Sequence, residues 1–135
     1  NASNHYGGRQ TKEIETTQLA EGLSKNLTLN LEAVERTARA VSFFVNKSKS
    51  MGILYPMVFA TAAVRQAQNG KVFCNKVKEL CDIDVDVISG ETEAKLGILG
   101  ALNGSAGGII DIGGASTEIV VSDGKTKSTA AAGLF

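Results

Sequence analysis

Ile109-Ile110-Asp111-Ile112-Gly113-Gly114-Ala115-Ser116-Thr117-Glu118-Ile119-Val120-Val121 is the stretch on which the reading of this chain turns. An apolar run ends in an acid. A Gly-Gly turn follows, and Ser-Thr-Glu leads into a second β-branched run. The pattern predicts two strands joined by a tight loop rich in backbone amides. Glycine lets the backbone approach an anion closely, and successive N–H groups form an anion-binding concavity. Asp111, at the strand end, can hold a cation or a water beside that anion. With Glu118 it flanks the cradle, and two acids so placed point to metal-assisted phosphoryl chemistry. The alternative is an ordinary hairpin in which Gly-Gly only makes the turn. The flanking Asp, Ser, Thr and Glu shift the balance toward the phosphate loop. A dinucleotide loop fits less well, because that loop opens a helix. Here residues 117–122 alternate toward another strand and meet Asp123-Gly124, a hairpin turn signal.

Outward from this loop the chain alternates strands and helices. A strand is expected over 12–19. Asn30 is a good N-cap for a helix over 31–47, where Leu31, Val34, Ala38, Val41 and Val45 form a stripe at helical spacing. Residues 55–60 read as a buried strand, with Pro56 confined to its start or to an edge. A helix over 62–68 is expected to close at Asn69-Gly70. A further helix over 71–81 turns Phe73, Val77 and Leu80 inward. Residues 84–88 form a short strand, and Ser89 caps a helix over 91–102 with Glu91 and Glu93 in its first turn. Strands follow over 107–112 and 117–122, with a third expected over 125–131. The fold class is therefore α/β, with a mixed sheet and flanking helices.

Composition narrows the function classes. One domain is expected for 135 residues, and 43% hydrophobic content can fill its core. Equal numbers of basic and acidic residues give no net charge. A nucleic-acid footprint needs a basic excess, so an anionic substrate would be held by local groups. No apolar run approaches the length of a membrane span, and no signal-peptide pattern appears. Cys74 and Cys81 would lie about 10 Å apart on one helix, too far for a disulfide. With the single His5 distant in sequence they do not make a zinc site. They read as small buried side chains in a reducing compartment.

Residues 111–118 resemble the second phosphate loop of the exopolyphosphatase / guanosine pentaphosphate phosphohydrolase family. Ala60-Thr61-Ala62-Ala63-Val64-Arg65-Gln66-Ala67-Gln68-Asn69-Gly70 and Val87-Ile88-Ser89-Gly90-Glu91-Thr92-Glu93-Ala94-Lys95-Leu96 match two further motifs of that family, in the same order and spacing. The resemblance runs from about residue 16 to about residue 122. It implies half of an actin/sugar-kinase-like, ribonuclease H-like nucleotide-binding fold. Residues 4–135 would be a partial N-terminal domain, with Asn1-Ala2 set aside as the end of a cloning scar. It also implies a bacterial, cytoplasmic hydrolase. That enzyme would cleave terminal phosphoanhydride bonds of inorganic polyphosphate or guanosine pentaphosphate by metal-assisted attack of water. Neither nucleic acid nor membrane would be a partner, and a homo-oligomer is compatible with it.

Carried over residue by residue, the resemblance makes Glu93 the general base. The residues alone allow this, since the first turn after a strand lets a carboxylate reach a site at the strand ends. Glu91 would point elsewhere on the helix. Arg65 would clasp the phosphate chain, and Thr61 would add a hydroxyl. Gly113, Gly114, Ser116 and Thr117 would present amide and hydroxyl donors. Asp111 and Glu118 would position magnesium or another divalent cation.

The chain also departs from the family pattern. Ala115 replaces the third glycine of the loop, which strains the loop if that position needs φ > 0. Gln18 replaces an arginine and Ala20 a glycine in the segment that begins at Thr16. The family's first phosphate loop, which precedes that segment, has no counterpart here, and neither has the second half of the fold. A fragment with little turnover of its own is the expectation. A non-catalytic phosphate- or nucleotide-sensing module of the same fold, or a kinase of the same superfold, is the alternative.

Overall fold

The order of strands across the sheet is β1-β5-β4-β2-β3, which puts the Gly-Gly hairpin at its centre. The computed structural model describes residues 10–97, 102 and 106–123. The elements are β1 (Gln10–Thr16), α1 (Leu23–Asn26), α2 (Leu31–Ser50), β2 (Met57–Ala60), α3 (Ala62–Gln66), α4 (Gly70–Cys81), β3 (Asp86–Val87), α5 (Gly90–Leu96), β4 (Ala106–Ile112) and β5 (Ser116–Asp123). Strand β5 pairs antiparallel with β1 and with β4. Strands β4, β2 and β3 run parallel. The sheet is mixed, as expected.

Helix α2 follows its sequence signals. The Asn30 side chain accepts from the N–H groups of Glu32 and Ala33, satisfying donors that a helix start leaves free. Val34, Ala38, Val41 and Val45 are buried against the sheet, joined by Ala33 and Phe44. Leu31 departs from the expected stripe and is 67% exposed, because it is the first residue of the helix and overhangs its end. Helix α4 adds Phe73 and Val77 to the same core, with Leu80 partly buried. On the sheet side this core takes Val58, Ala60, Ile110, Ile112, Ile119 and Val121. The opposite face carries a small cluster of Ile88, Leu102, Ile109 and Val120 with Phe59 against it. Among the described residues no helix is long and apolar enough to cross a membrane.

Several boundaries move. Strand β1 stops at Thr16 because Gln18 turns the chain at φ 53°. Tyr55 is 84% exposed and precedes β2, so the buried strand is shorter than periodicity predicts. Helix α3 ends at Gln66, and Asn69-Gly70 is not its C-cap. The Asn69 side chain instead accepts from the Leu29 N–H at 2.7 Å and donates to the Leu29 carbonyl at 3.2 Å. It clamps the segment before α2 to the start of α4. Strand β3 keeps only two residues. Helix α5 ends at Leu96, where Gly97 takes φ 55°, a conformation that glycine adopts at little steric cost. The expected strand over 125–131, the Asp123-Gly124 turn and His5 lie outside the described residues. Cys74 and Cys81 are free thiols on α4, and burial pushes both up from their ordinary pKa.

Candidate functional site

Strand pairing sets the central feature. Asp111 on β4 and Glu118 on β5 are directly opposed across the ladder, and Phe59 and Ile14 continue the row on either side. Opposed residues share a face and sit close together. Two carboxylates are thus placed side by side, and Asp111 Oδ1 and Glu118 Oε1 are buried without a hydrogen-bond partner. Lys12, also on β1, brings Nζ to 3.8 Å from Glu118 Oε1. The Asp111 carboxyl is held above the usual carboxylate range, first by burial, then by the charges of Glu118 and Glu93.

The loop between these strands is tied from behind. The Ala115 carbonyl accepts from the N–H groups of Thr17 at 3.1 Å and Gln18 at 3.0 Å, and the Gly114 carbonyl accepts from Ala20 N–H at 3.0 Å. In a trans peptide, C=O and the next N–H point in opposite directions. The amides that follow those carbonyls are therefore aimed away from the 17–20 segment. Gly113 N–H closes the turn on the Ser116 carbonyl at 3.0 Å. Gly113, Gly114 and Ala115 are not among the residues at positive φ, so alanine at 115 carries no strain. Space is what glycine supplies at 114: a Cβ there would meet Ala20 Cβ at 3.1 Å, so the 17–20 segment would have to give by a few tenths of an ångström.

The remaining predicted residues gather at the carboxyl ends of the parallel strands, the usual place for a ligand in such sheets. Thr61 follows β2, is buried, and donates its N–H to the Ile112 carbonyl at 3.3 Å. One helical turn on, Arg65 Nη1 donates to the Ile88 carbonyl at 2.5 Å and lies 3.9 Å from Glu93 Oε1. Glu93 stands in the first turn of α5, whose N-cap Ser89 accepts from Thr92 N–H. Glu91 points elsewhere, as expected, and pairs with Lys95 at 3.8 Å.

Thr117 differs from expectation. Strand alternation sends its side chain to the opposite face, where it is fully buried with Oγ1 3.2 Å from Thr17 Oγ1. Its hydroxyl is therefore not a donor to the loop, whereas Ser116 shares the face of Glu118. Two residues escaped the sequence reading. Lys12 sits beside Glu118, and Arg36 holds the 17–20 segment. Neither carries a local signal, because Lys12 depends on which strand pairs with β5 and Arg36 on how α2 packs against the segment after β1.

Among the described residues no group of three or more His, Cys, Asp and Glu side chains is arranged to hold a metal ion. Magnesium takes one or two carboxylates and completes its shell with water and substrate phosphate. The facing pair Asp111 and Glu118, with a buried oxygen on each that makes no hydrogen bond and with only the more distant Lys12 ammonium beside Glu118, fits that mode.

A guanosine-5′-triphosphate,3′-diphosphate pyrophosphatase of Pseudoalteromonas atlantica is 38% identical over 119 residues, covering 85% of this chain and 24% of the relative. The structure of an exopolyphosphatase from Cytophaga hutchinsonii is 27% identical, with a TM-score of 0.50 over 58% of this chain and 25% of its own. The structure of the Aquifex aeolicus Ppx/GppA family member superposes with a TM-score of 0.58 over 70% of this chain and 31% of its own; at 22% identity it speaks to the fold alone. The chain spans about a quarter or less of the length of the curated relatives it matches. The α/β sheet with its flanking helices is thus part of an actin-like fold. Residues 9–132 match the Ppx/GppA phosphatase family, and the chain belongs to that family.

Proposed function

We propose that the chain is one lobe of a phosphohydrolase that cleaves terminal phosphoanhydride bonds of inorganic polyphosphate or guanosine pentaphosphate. The observation that carries this reading is the facing carboxylate pair Asp111 and Glu118 beside an amide-rich turn, with Glu93 close enough for its charge to act on Asp111. The amides of the 113–116 loop and the Ser116 hydroxyl bind phosphoryl oxygens, as donors aimed where charge develops. Arg65, already beside Glu93, clasps the phosphate chain with its planar fork. Thr61 closes the site at the end of β2. Glu93 orients a water and accepts its proton as the water attacks the terminal phosphorus. Asp111 and Glu118 hold magnesium or another divalent cation, which when bound supplies neutralisation of phosphoryl charge.

Phosphoryl transfer rests on positioning by several parts at once, so this lobe alone turns over little. The unstrained backbone at Ala115 removes the reason to read the loop as a damaged, merely sensing site. Two free thiols fit a reducing bacterial cytoplasm.

The test is phosphate release from polyphosphate and from guanosine pentaphosphate by the full-length protein. Glu93→Gln keeps the shape of the side chain but cannot take the proton. It is expected to lower turnover about 100-fold or more, the range of a lost general base, while Glu91→Gln changes it little. Equal losses for the two substitutions would show that the wrong carboxylate carries the chemistry.

A further inference from the structure

We infer that Arg36 is a positioning residue for the anion loop, acting through the 17–20 segment; this rests on the reading of residues 113–116 as a phosphate cradle. Arg36 leaves α2 and donates Nε to the Thr17 carbonyl at 2.8 Å. Its Nη2 lies 3.4 Å from the Gln18 carbonyl and 2.7 Å from Glu21 Oε1. One planar guanidinium thus spans two successive carbonyls and a carboxylate.

The turn it holds is a costly one. Gln18 sits at φ 53°, a region that residues other than glycine seldom occupy. Such a conformation persists where its surroundings over-determine it. The two peptide units whose carbonyls Arg36 holds lie within the same short turn that donates the Thr17, Gln18 and Ala20 N–H groups to the loop. Those three donors fix the Ala115 and Gly114 carbonyls, and so aim the following amides outward. The chain of contacts runs from the guanidinium, through two carbonyls of the strained turn, to the direction of the loop amides. Arg36 itself stands behind the loop and would not touch the phosphate.

A lysine at 36 keeps the charge and can still pair with Glu21, but it lacks the fork that spans adjacent acceptors. Glu21 is the outermost of the three partners, half exposed, and contributes little to the clamp.

The experiment is a titration of this chain with inorganic phosphate, followed through the backbone amide resonances of residues 113–116. Amide hydrogen exchange at Thr17, Gln18 and Ala20 is read in parallel. Wild type is expected to show saturable shifts at the loop. Arg36→Met is expected to weaken phosphate binding about tenfold and to speed exchange at the three donor amides by a similar factor, while exchange at Ile110 and Ile119 stays as in wild type. Arg36→Lys is expected to lie between the two, and it serves alone if the methionine variant does not fold. Glu21→Gln should stay within twofold of wild type.

A merely structural arginine would lower the melting temperature without changing phosphate affinity. Phosphate binding within twofold of wild type in both arginine variants therefore overturns the inference. Failure of wild type to show any loop shift overturns the phosphate-cradle reading itself, and the inference with it.

Discussion

At the scale of single residues, the pairing of Asp111 with Glu118 is the most consequential feature. Either acid alone is an ordinary strand-end residue. Opposed across a ladder and partly withdrawn from water, the two repel, and Asp111 holds its proton more tightly than it would in the unfolded chain. A raised folded-state pKa contributes stability below the unfolded pKa, and that contribution is lost as pH rises through the folded value. Asp111→Asn, which carries no charge, is therefore expected to raise the melting temperature near neutral pH and to have little effect in acid, below the carboxylate range. A variant equally stabilising at both would mean that charge is not the cause. Ala115 is the second informative residue. Its backbone lies outside the left-handed region, so Ala115→Gly should change phosphate affinity by less than about 1 kcal/mol, the scale of a glycine-for-alanine entropy effect. A gain well above tenfold in a phosphate titration would contradict that geometry. Asp111, Glu118, Glu93 and Arg65 were all legible as site candidates from the sequence, because each sits at a strand end or just beyond one. The Thr117 hydroxyl was misjudged because a motif names residues without saying which face of a strand each one takes.

At the scale of elements, capping and turn chemistry account for what sequence reading located well. Asn30 and Ser89 act on their own neighbours, and the helix starts at 31 and 90 follow from them, whereas the stop at Gly97 was read through. Asn69 shows the limit of that logic. It reads as a C-cap, yet its amide is recruited by Leu29, 40 residues away in sequence. The sequence holds no local trace of such a bond. Asn69→Ala should cost about 1–3 kcal/mol, since it leaves a part-buried N–H and carbonyl of Leu29 unpaired. Chemical denaturation measures it directly, and a loss no larger than that of an exposed surface substitution would show that water replaces the clamp. Helix α5 makes the same point differently. Its early end at Gly97 leaves Glu93 in the first turn of a helix of seven residues, facing Arg65, rather than in that of the longer helix expected.

At the scale of the whole molecule, the sheet has unequal faces. Among the described residues, the face under α2 and α4 is filled, while the other bears the carboxylate pair and a small apolar cluster. Ile14 and Met57, 56% and 45% exposed, lie on that second face, and Leu54 and Tyr55 stand near the start of β2. With no net charge to keep copies apart, the isolated chain is expected to self-associate through this surface. Light scattering that stays monomeric at high concentration, with wild-type and Ile14→Lys chains alike, would refute this. Hydropathy period, caps and glycine turns are properties of neighbouring residues, so the motif residues and the kinds and order of the described elements, apart from the short helix α1, were determined by the sequence alone. Which strand lies beside which is a property of the closed sheet. The hairpin itself sets Glu118 opposite Asp111; only the tertiary structure decided that Lys12 would approach them and that a strained turn at Gln18 would brace the loop. Each of these contacts joins residues about 100 positions apart or packs across strands, where the local pattern that shapes an element has no reach.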